Sequence, residues 1–237
     1  MKPSVFLTRE LPPEPMATLR EHVDLHVNPD DRVLTRAELL AGVRGRDGLL
    51  CLVTDTIDAE VMDAAPDLRV IANYAVGFNN IDVAAATERG IPVTNTPDVL
   101  THTTADMAFA LLMAVARRVV EGHDLVRSRA WRGWGPLQLL GADLTGATLG
   151  LIGLGRIGRA MVPRAHGFGM DVLYWNRSRL AAAEEAVLGV RYTSLDEVLE
   201  RSRFASLHVA STPDTHHLID ARAPGPVGGR CSCSVPT

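Results

Sequence analysis

The sequence predicts an α/β protein of two units, each built on a parallel sheet with helical crossovers. Short aliphatic or β-branched runs alternate with segments of helical periodicity from the N-terminus onward, which is the pattern of parallel strands joined by helices. In the second half, a glycine-rich turn follows an apolar run and opens a helix. A content of 46% apolar and 22% charged residues is ordinary for a chain that buries a core.

The pattern of the first 98 residues predicts one small α/β unit. Thr35 and Glu38 have the spacing of a capping box, which predicts a helix that can run to Val43. Asp82 is expected to cap a second helix, which Gly90 ends. Strands are suggested by apolar runs at residues 5–8, 23–27, 48–53, 70–73 and 93–95.

Residues 99–220 predict the second unit. Apolar residues recur at helical spacing from Thr103 to about Ser128, which predicts one long helix between the units. Pro163 lies inside the helix after the glycine-rich turn and should kink it. Residues 221–237 contain three prolines and three glycines and are predicted to be an aberrant, disordered tail. After a connector rich in Trp and Gly, strands are expected at residues 147–152, 171–174 and 204–208.

Composition disfavours several classes of function. A net charge of −4 provides no general attraction to nucleic acid or to an anionic membrane. Neither a signal peptide nor a membrane span is predicted, since the most apolar stretch, residues 107–116, is bounded by charges. Cys51 lies in an apolar run while Cys231 and Cys233 lie in the tail, so neither a disulfide framework nor a metal site is expected. A cytoplasmic protein fits best.

The glycine-rich turn is a candidate dinucleotide site. A GxGxxG pattern is specific only between a strand and a helix, and this one occupies that context. The first glycine permits the tight turn, the second lets backbone N–H groups approach a pyrophosphate, and the third allows close packing of helix on strand. The alternative is a plain strand-to-helix turn. The residues concerned are Gly153, Leu154, Gly155, Arg156, Ile157 and Gly158.

The residues after the next strand bear on the type of cofactor. An NAD site usually carries Asp or Glu about 20 residues beyond the glycines, but this chain has Asn176, Arg177, Ser178 and Arg179 there. Asn176 and Ser178 can donate hydrogen bonds to a 2′-phosphate, and both arginines can make charge-assisted contacts with it. NADP(H) is therefore predicted in preference to NAD(H). Two solvated surface arginines are the alternative.

Five segments in the same order resemble a known family. Residues 73–82, 104–106, 144–158 and 207–219 resemble the D-2-hydroxyacid dehydrogenases, and residues 176–179 are similar to the NADPH-using glyoxylate and hydroxypyruvate reductases among them. The resemblance covers about residues 1–220. It implies a flavodoxin-like substrate domain over residues 1–98, an incomplete Rossmann dinucleotide-binding domain over residues 99–220, and a homodimer.

The resemblance also implies roles for single residues. The backbone amides of Val76 and Gly77 would hold the carboxylate of a small 2-oxoacid or 2-hydroxyacid in the cleft between the domains, with a purely structural turn as the alternative. Thr104 would contact the cofactor from the interdomain helix, unless its hydroxyl serves only the helix start. Val209 and Thr215 would lie near the adenosine half of the cofactor.

The family's catalytic residues find no counterpart in the sequence. By the resemblance, an Arg clamps the substrate carboxylate, a His donates the proton and a Glu keeps that His protonated, all beyond the position of Ile219. Residues 221–237 contain no Asn, Glu or His. A different reading frame over residues 228–233 permits an apolar strand, which suggests a frameshift after about residue 220. The remaining candidates, not expected to act as the acid, are His102, His208, His216 and His217.

The expected function is therefore that of an NADPH-preferring reductase of small 2-oxoacids, such as glyoxylate or hydroxypyruvate, by ancestry. This chain is expected to be inactive and to leave an apolar sheet edge exposed. The alternatives are a non-catalytic dinucleotide-binding remnant and a pseudogene product.

Overall fold

A computed structural model describes residues 1–220 and the backbone of Cys231–Ser234. The chain divides into two compact units, Met1–Asp98 and a second that begins at Val99. Within the described residues, each unit contains one five-stranded parallel sheet. The predicted α/β class with parallel sheets is confirmed. None of the helices in this described part of the chain is both long and apolar enough to cross a bilayer.

The sheet of the first unit has the strand order β2-β1-β3-β4-β5, which is that of the flavodoxin-like fold. The strands start and end within two residues of their predicted bounds. They are β1 (Ser4–Leu7), β2 (Asp24–Val27), β3 (Gly48–Cys51), β4 (Val70–Asn73) and β5 (Val93–Thr94). The helices are α1 (Pro13–His22), α2 (Arg36–Val43), α3 (Ala59–Asp63) and α4 (Val83–Glu88).

The first unit buries apolar side chains on both faces of its sheet. Phe6 and Leu7 are neighbours in β1, so their side chains point to opposite faces. Phe6 belongs to a cluster with Leu39 of α2, whereas Leu7 packs with Met16 of α1. Covered faces on both sides explain why the strands are almost continuously apolar.

The two helix starts predicted in this unit are confirmed. The Thr35 side chain accepts from the Glu38 N–H, and the Glu38 carboxylate accepts from the Thr35 N–H at 2.8 Å, which completes the capping box. The Asp82 carboxylate accepts from the Ala85 N–H at 2.9 Å. Helices α1 and α3 were not predicted, since neither shows a clear apolar stripe over its short length.

The sheet of the second unit has the order β10-β9-β6-β7-β8. The strands are β6 (Thr148–Ile152), β7 (Asp171–Trp175), β8 (Val190–Tyr192), β9 (Phe204–Leu207) and β10 (Cys231–Ser234). The helices are α5 (Thr101–Ala116), α6 (Val119–Arg127), α7 (Arg156–Gly167), α8 (Ala182–Leu188) and α9 (Leu195–Arg201). Helices α5 and α7 cover one face, where Leu112 and Met161 join Leu149 in the main core of the unit.

The single long helix predicted from Thr103 to about Ser128 is wrong. The structure breaks it after α5, where Arg118 adopts a left-handed conformation with φ of 54°. The physical reason lies in the connector, because the Ala142 N–H donates to the carbonyl of Ala116 at 2.8 Å. That carbonyl would otherwise continue the helix, so the apolar periodicity carries on into α6 while the hydrogen bonding does not.

The tail prediction needs one correction. Disorder was predicted over residues 221–237, but the backbone of Cys231–Ser234 forms β10, which pairs in parallel with β9. Backbone N–H and C=O groups along an exposed strand edge favour pairing whatever the side chains are. The prolines and glycines on which the prediction rested lie outside Cys231–Ser234, and β10 occupies the sheet edge that was expected to be bare. The rest of the predicted tail lies outside the described residues.

Candidate functional site

The glycine-rich loop lies at the point where the second sheet reverses its strand order. Strand β6 has β7 on one side and β9 on the other. The chain therefore leaves β6 at the topological switch point, where the loops after neighbouring parallel strands diverge and leave a crevice. Residues 153–155 connect Ile152 to Arg156 at this crevice.

The three glycines have three different surroundings. Gly153 has a φ of 98°, and a Cβ there would lie 2.6 Å from the carbonyl oxygen of His208. A Cβ on Gly158 would lie 2.3 Å from the carbonyl oxygen of Gly153. Around Gly155, in contrast, a Cβ would meet no atom within 4 Å. The first and third glycines therefore pack the loop, while the second keeps its outer surface open.

The start of α7 offers hydrogen-bond donors to an anion. Gly155 is the N-cap, and no side chain caps the helix. The first bond of the helix runs from the Arg159 N–H to the Gly155 carbonyl at 2.9 Å, so the N–H groups of the preceding turn have no carbonyl within the helix to bind. On the core side, Leu154 is buried and Ile157 packs against the same cluster. The loop presents donors outward on an apolar base, as a pyrophosphate site requires.

The loop after β7 is tied to the glycine loop. The Oδ1 of Asn176 accepts from the Leu154 N–H at 2.6 Å, which leaves the amide nitrogen of Asn176 as a donor. The Tyr192 hydroxyl donates to the Asn176 carbonyl at 3.5 Å. Arg177 and Ser178 are exposed, and neither has a hydrogen bond or an ion pair to another described residue. The structure thus brings four predicted residues, 154 and 176–178, to one crevice.

The structure places Arg179 in an ion pair. Its Nε and Nη2 donate to the two carboxylate oxygens of Glu185 at 2.8 and 2.7 Å, and its guanidinium lies 5.4 Å from the ring centre of Tyr192. Glu185, whose side chain is 9% exposed, also accepts from the Tyr174 hydroxyl at 2.6 Å. The hydrogen bonds from Arg179 and Tyr174 lower the pKa of Glu185 to about 2.

Sequence reasoning missed Glu185. It follows Glu184 in the first turn of α8, and two acidic residues at a helix start are explained by the helix dipole alone. Only the structure distinguishes them, because Glu184 pairs with Arg159 at the surface while Glu185 is buried beneath the loop.

Val209 and Thr215 follow β9. A Val209 methyl carbon would lie 3.0 Å from a Cβ on Gly153, so Val209 borders the glycine loop. The Thr215 hydroxyl donates to the Ala210 carbonyl at 2.6 Å and accepts from the Thr212 N–H at 2.9 Å. Thr215 therefore closes the loop that carries Val209. Thr104 lies in the first turn of α5 and is half-buried.

Val76 and Gly77 form part of the loop after β4 in the first unit. Their carbonyls are fixed by asparagine side chains: Asn95 donates to the Val76 carbonyl at 2.8 Å, and Asn73 to the Gly77 carbonyl at 2.7 Å. Their N–H groups donate to no acceptor among the described residues. Two successive N–H groups on a pinned loop are donors of the kind that a carboxylate accepts from.

His208 lies behind the glycine loop as a neutral side chain. It is 9% exposed, and its Nε2 is 2.9 Å from the Ser206 hydroxyl. Burial lowers the pKa of His208 to about 4. An imidazole with this pKa is neutral near pH 7, so His208 is not available there as the protonated acid. In the part of the chain described, no three His, Cys, Asp or Glu side chains group as metal ligands.

Comparisons with known proteins show the family of this chain. The model of the family "D-isomer specific 2-hydroxyacid dehydrogenase, NAD binding domain" matches residues 109–224. The chain is similar to the glyoxylate reductase of Korarchaeum cryptofilum (51% identity, 92% of this chain and 66% of the relative) and to that of Thermococcus litoralis (48%, 92% and 67%). It is also similar in structure to the TT0316 protein of Thermus thermophilus, with 49% identity, a TM-score of 0.83, and coverage of 91% of this chain and 67% of that one.

The chain spans about two thirds of the length of the curated relatives it matches. Across that span the identity is near one half, the fold is shared, and the matched family region includes the glycine loop and its surroundings. This chain therefore belongs to the D-isomer specific 2-hydroxyacid dehydrogenase family, and within it to the glyoxylate reductase type.

Proposed function

We propose that this chain binds NADP(H) in preference to NAD(H), at a site that by ancestry belongs to reductases of small 2-oxoacids such as glyoxylate or hydroxypyruvate. The observation that carries the cofactor preference is the charge at the end of β7. In an NAD site, a carboxylate at this position binds the 2′-hydroxyl of the ribose. In this chain, the amide nitrogen of Asn176 and the exposed Arg177 stand at the same position. The oxoacid is inferred from two relatives, both named glyoxylate reductase.

In this proposal, the pyrophosphate binds the N–H groups at the start of α7, over the open surface of Gly155. Arg177 and Ser178 contact the 2′-phosphate, and Val209 borders the adenosine half, with Thr215 holding its loop. Thr104 contributes from α5. When bound, the reduced nicotinamide supplies the hydride; the residues named here hold and orient the cofactor.

The substrate carboxylate is proposed to bind the N–H groups of Val76 and Gly77. These donors are half-buried and without a partner among the described residues, and their carbonyls are held by Asn95 and Asn73. A preorganised donor pair stabilises an anion without reordering at the moment of binding. Small 2-oxoacids and 2-hydroxyacids both carry the carboxylate that such a pair recognises.

We further propose that these 237 residues bind the cofactor without turnover. The Arg, Glu and His implied by the resemblance lie beyond Ile219, and residues 221–237 contain neither Glu nor His. Without turnover, the chain would be a non-catalytic dinucleotide-binding remnant. With glyoxylate and NADPH, absorbance at 340 nm should fall no faster than in the absence of protein. A rate well above that background would contradict the proposal.

The cofactor preference is tested by titrating the protein with NADPH and NADH and following nicotinamide fluorescence. NADPH should bind at least about tenfold more tightly than NADH, since one charge-assisted contact is worth that factor. The matched variant is Asn176→Asp, which keeps the acceptor for the Leu154 N–H and adds the missing carboxylate. It should shift the preference towards NADH. Equal affinities in the unmodified protein would contradict NADP(H) preference.

A homodimer is proposed from the apolar surface of the second unit. Met107, Leu111 and Val115 repeat every four residues along α5 and are 57%, 42% and 53% exposed. Trp134 of the connector is 84% exposed. An exposed apolar stripe of this kind marks an interaction surface, and α6 adds Val119, Val120 and Val126, which are 55%, 63% and 59% exposed. Light scattering after size exclusion should give twice 25.6 kDa; the mass of a monomer would contradict the proposal.

A further inference from the structure

The loop of residues 176–180 is fixed at both ends and free at its centre. At its start, Asn176 is held by the Leu154 N–H. At its end, the Leu180 N–H donates to the Tyr174 hydroxyl at 3.0 Å, and Arg179 is bound to Glu185. Arg177 and Ser178 lie between these anchors and have no partner in the described chain. The loop therefore presents one uncompensated cation.

Glu185 organises the second anchor. One carboxylate oxygen accepts from both Arg179 Nε and the Tyr174 hydroxyl, and the other accepts from Arg179 Nη2. Tyr174 is fully buried, and burial and the Glu185 carboxylate together raise the pKa of its hydroxyl to about 12. The hydroxyl thus stays protonated as a donor to Glu185 while its oxygen accepts from Leu180. One carboxylate fixes a strand residue and a loop residue together.

The charge of Arg179 is already balanced within the protein. Two of its guanidinium nitrogens donate to Glu185, its charge is balanced at hydrogen-bond distance, and its position is further set by the ring of Tyr192. A phosphate approaching this pair meets a net charge of zero, because Glu185 repels the anion that Arg179 attracts. Arg177 faces no such carboxylate in the described residues.

We propose that Glu185 withholds Arg179 from the cofactor: it neutralises Arg179 and holds it as part of the loop's scaffold, which leaves Arg177 as the cation that distinguishes NADP(H) from NAD(H). This inference rests on the proposed NADP(H) preference. It changes the sequence prediction, which gave Arg177 and Arg179 the same role.

The experiment compares Arg177→Gln with the double variant Arg179→Gln/Glu185→Gln in the whole chain. The new amide at position 185 retains an acceptor for Tyr174 and can bond the new amide at position 179, so the double variant keeps neutral contacts where the ion pair was. The probes are adenosine 2′,5′-bisphosphate and 5′-AMP, which differ in the 2′-phosphate alone, with binding measured by calorimetry. Unfolding temperatures are measured on the same samples.

Arg177→Gln should weaken the binding of the bisphosphate by about tenfold or more, which is the value of one charge-assisted contact. The affinity for 5′-AMP and the unfolding temperature should stay unchanged. The double variant should keep the ratio of the two affinities within about twofold of the unmodified protein. Arg179→Gln alone should lower the unfolding temperature, since it leaves Glu185 buried without its cation, and adding Glu185→Gln should restore it.

If the preference for the bisphosphate over 5′-AMP falls as far in the double variant as in Arg177→Gln, Arg179 contacts the phosphate and the inference is overturned. An unchanged ratio in Arg177→Gln overturns it as well. If the unmodified protein itself shows no preference for the bisphosphate, the proposed NADP(H) function fails together with the inference. The preference of the unmodified protein for the bisphosphate over 5′-AMP therefore tells a failure of the inference alone from a failure of the proposed function.

Discussion

Gly155 and Gly158 lie three residues apart, yet a β-carbon has different consequences at the two positions. Gly155 has a φ of −78°, which any residue adopts, and open space around it. Gly155→Ala should therefore fold normally and lose NADPH affinity by tenfold or more, roughly 1.4 kcal/mol of lost binding, because its methyl group occupies the phosphate surface. Gly158→Ala should instead destabilise the protein by about 1–3 kcal/mol through overpacking against the Gly153 carbonyl.

Chemical denaturation measures the stability of both variants, and titration with NADPH measures their affinity for the cofactor. Gly167→Ala, at the end of α7 with nothing within 4 Å of its β-carbon, is the control that should change neither quantity much. Tight NADPH binding by Gly155→Ala would remove the glycine loop from the proposed site.

His208 makes stability depend on pH. Its pKa is about 4 in the folded chain against 6.5 when unperturbed, so between these values the unfolded state binds more protons and stability falls as pH falls. The contribution is complete above pH 6.5, and roughly 2 kcal/mol should be lost at pH 5. Denaturation midpoints at pH 7.5 and pH 5 should differ less in His208→Gln, which cannot titrate. Equal pH dependence in both proteins would contradict a buried neutral His208.

At the scale of elements, α7 continues on both sides of Pro163. A proline at this position lacks the N–H that would bond the carbonyl four residues earlier. Pro163→Ala should therefore stabilise the protein by roughly 1–3 kcal/mol, measured by chemical denaturation. The matched control is Pro13→Ala at the first position of α1, where proline loses no helical bond. A gain of equal size in the control would contradict this explanation.

Elements also show where sequence patterns fail. Eight of the ten strands among the described residues were located, because apolar runs between polar turns report local burial. The three-residue β8 was not predicted. The break between α5 and α6 was missed, since the Ala142 N–H that captures the Ala116 carbonyl comes from 26 residues away. Strand β10 was missed for a similar reason: its pairing with β9 depends on an available edge and not on its own side chains.

At the scale of the whole molecule, the first unit has the features of an independent domain. Its five-stranded sheet is built entirely from Met1–Asp98, and Val43, Ile57, Val61 and Ile71 in its core are fully buried. Residues 1–98 expressed alone should unfold cooperatively in urea, as monitored by circular dichroism. Leu49→Ala, at a position 1% exposed, should lower the stability of this fragment by about 2–5 kcal/mol. A gradual transition insensitive to that substitution would contradict the prediction.

The sequence by itself determined the α/β class, the approximate strand bounds, and the glycine loop with its basic neighbours. Each of these is encoded by residues close together in the chain: alternation of apolar runs, a capping pair, and glycines between a strand and a helix. Only the tertiary structure decided which charges are available to a ligand. Arg177 and Arg179 look equivalent in the sequence, but α8 folds back on β7 and places Glu185 against one of them. Electrostatic partners are chosen by proximity in space, and a carboxylate at 2.7 Å cancels a charge that the sequence counts as free.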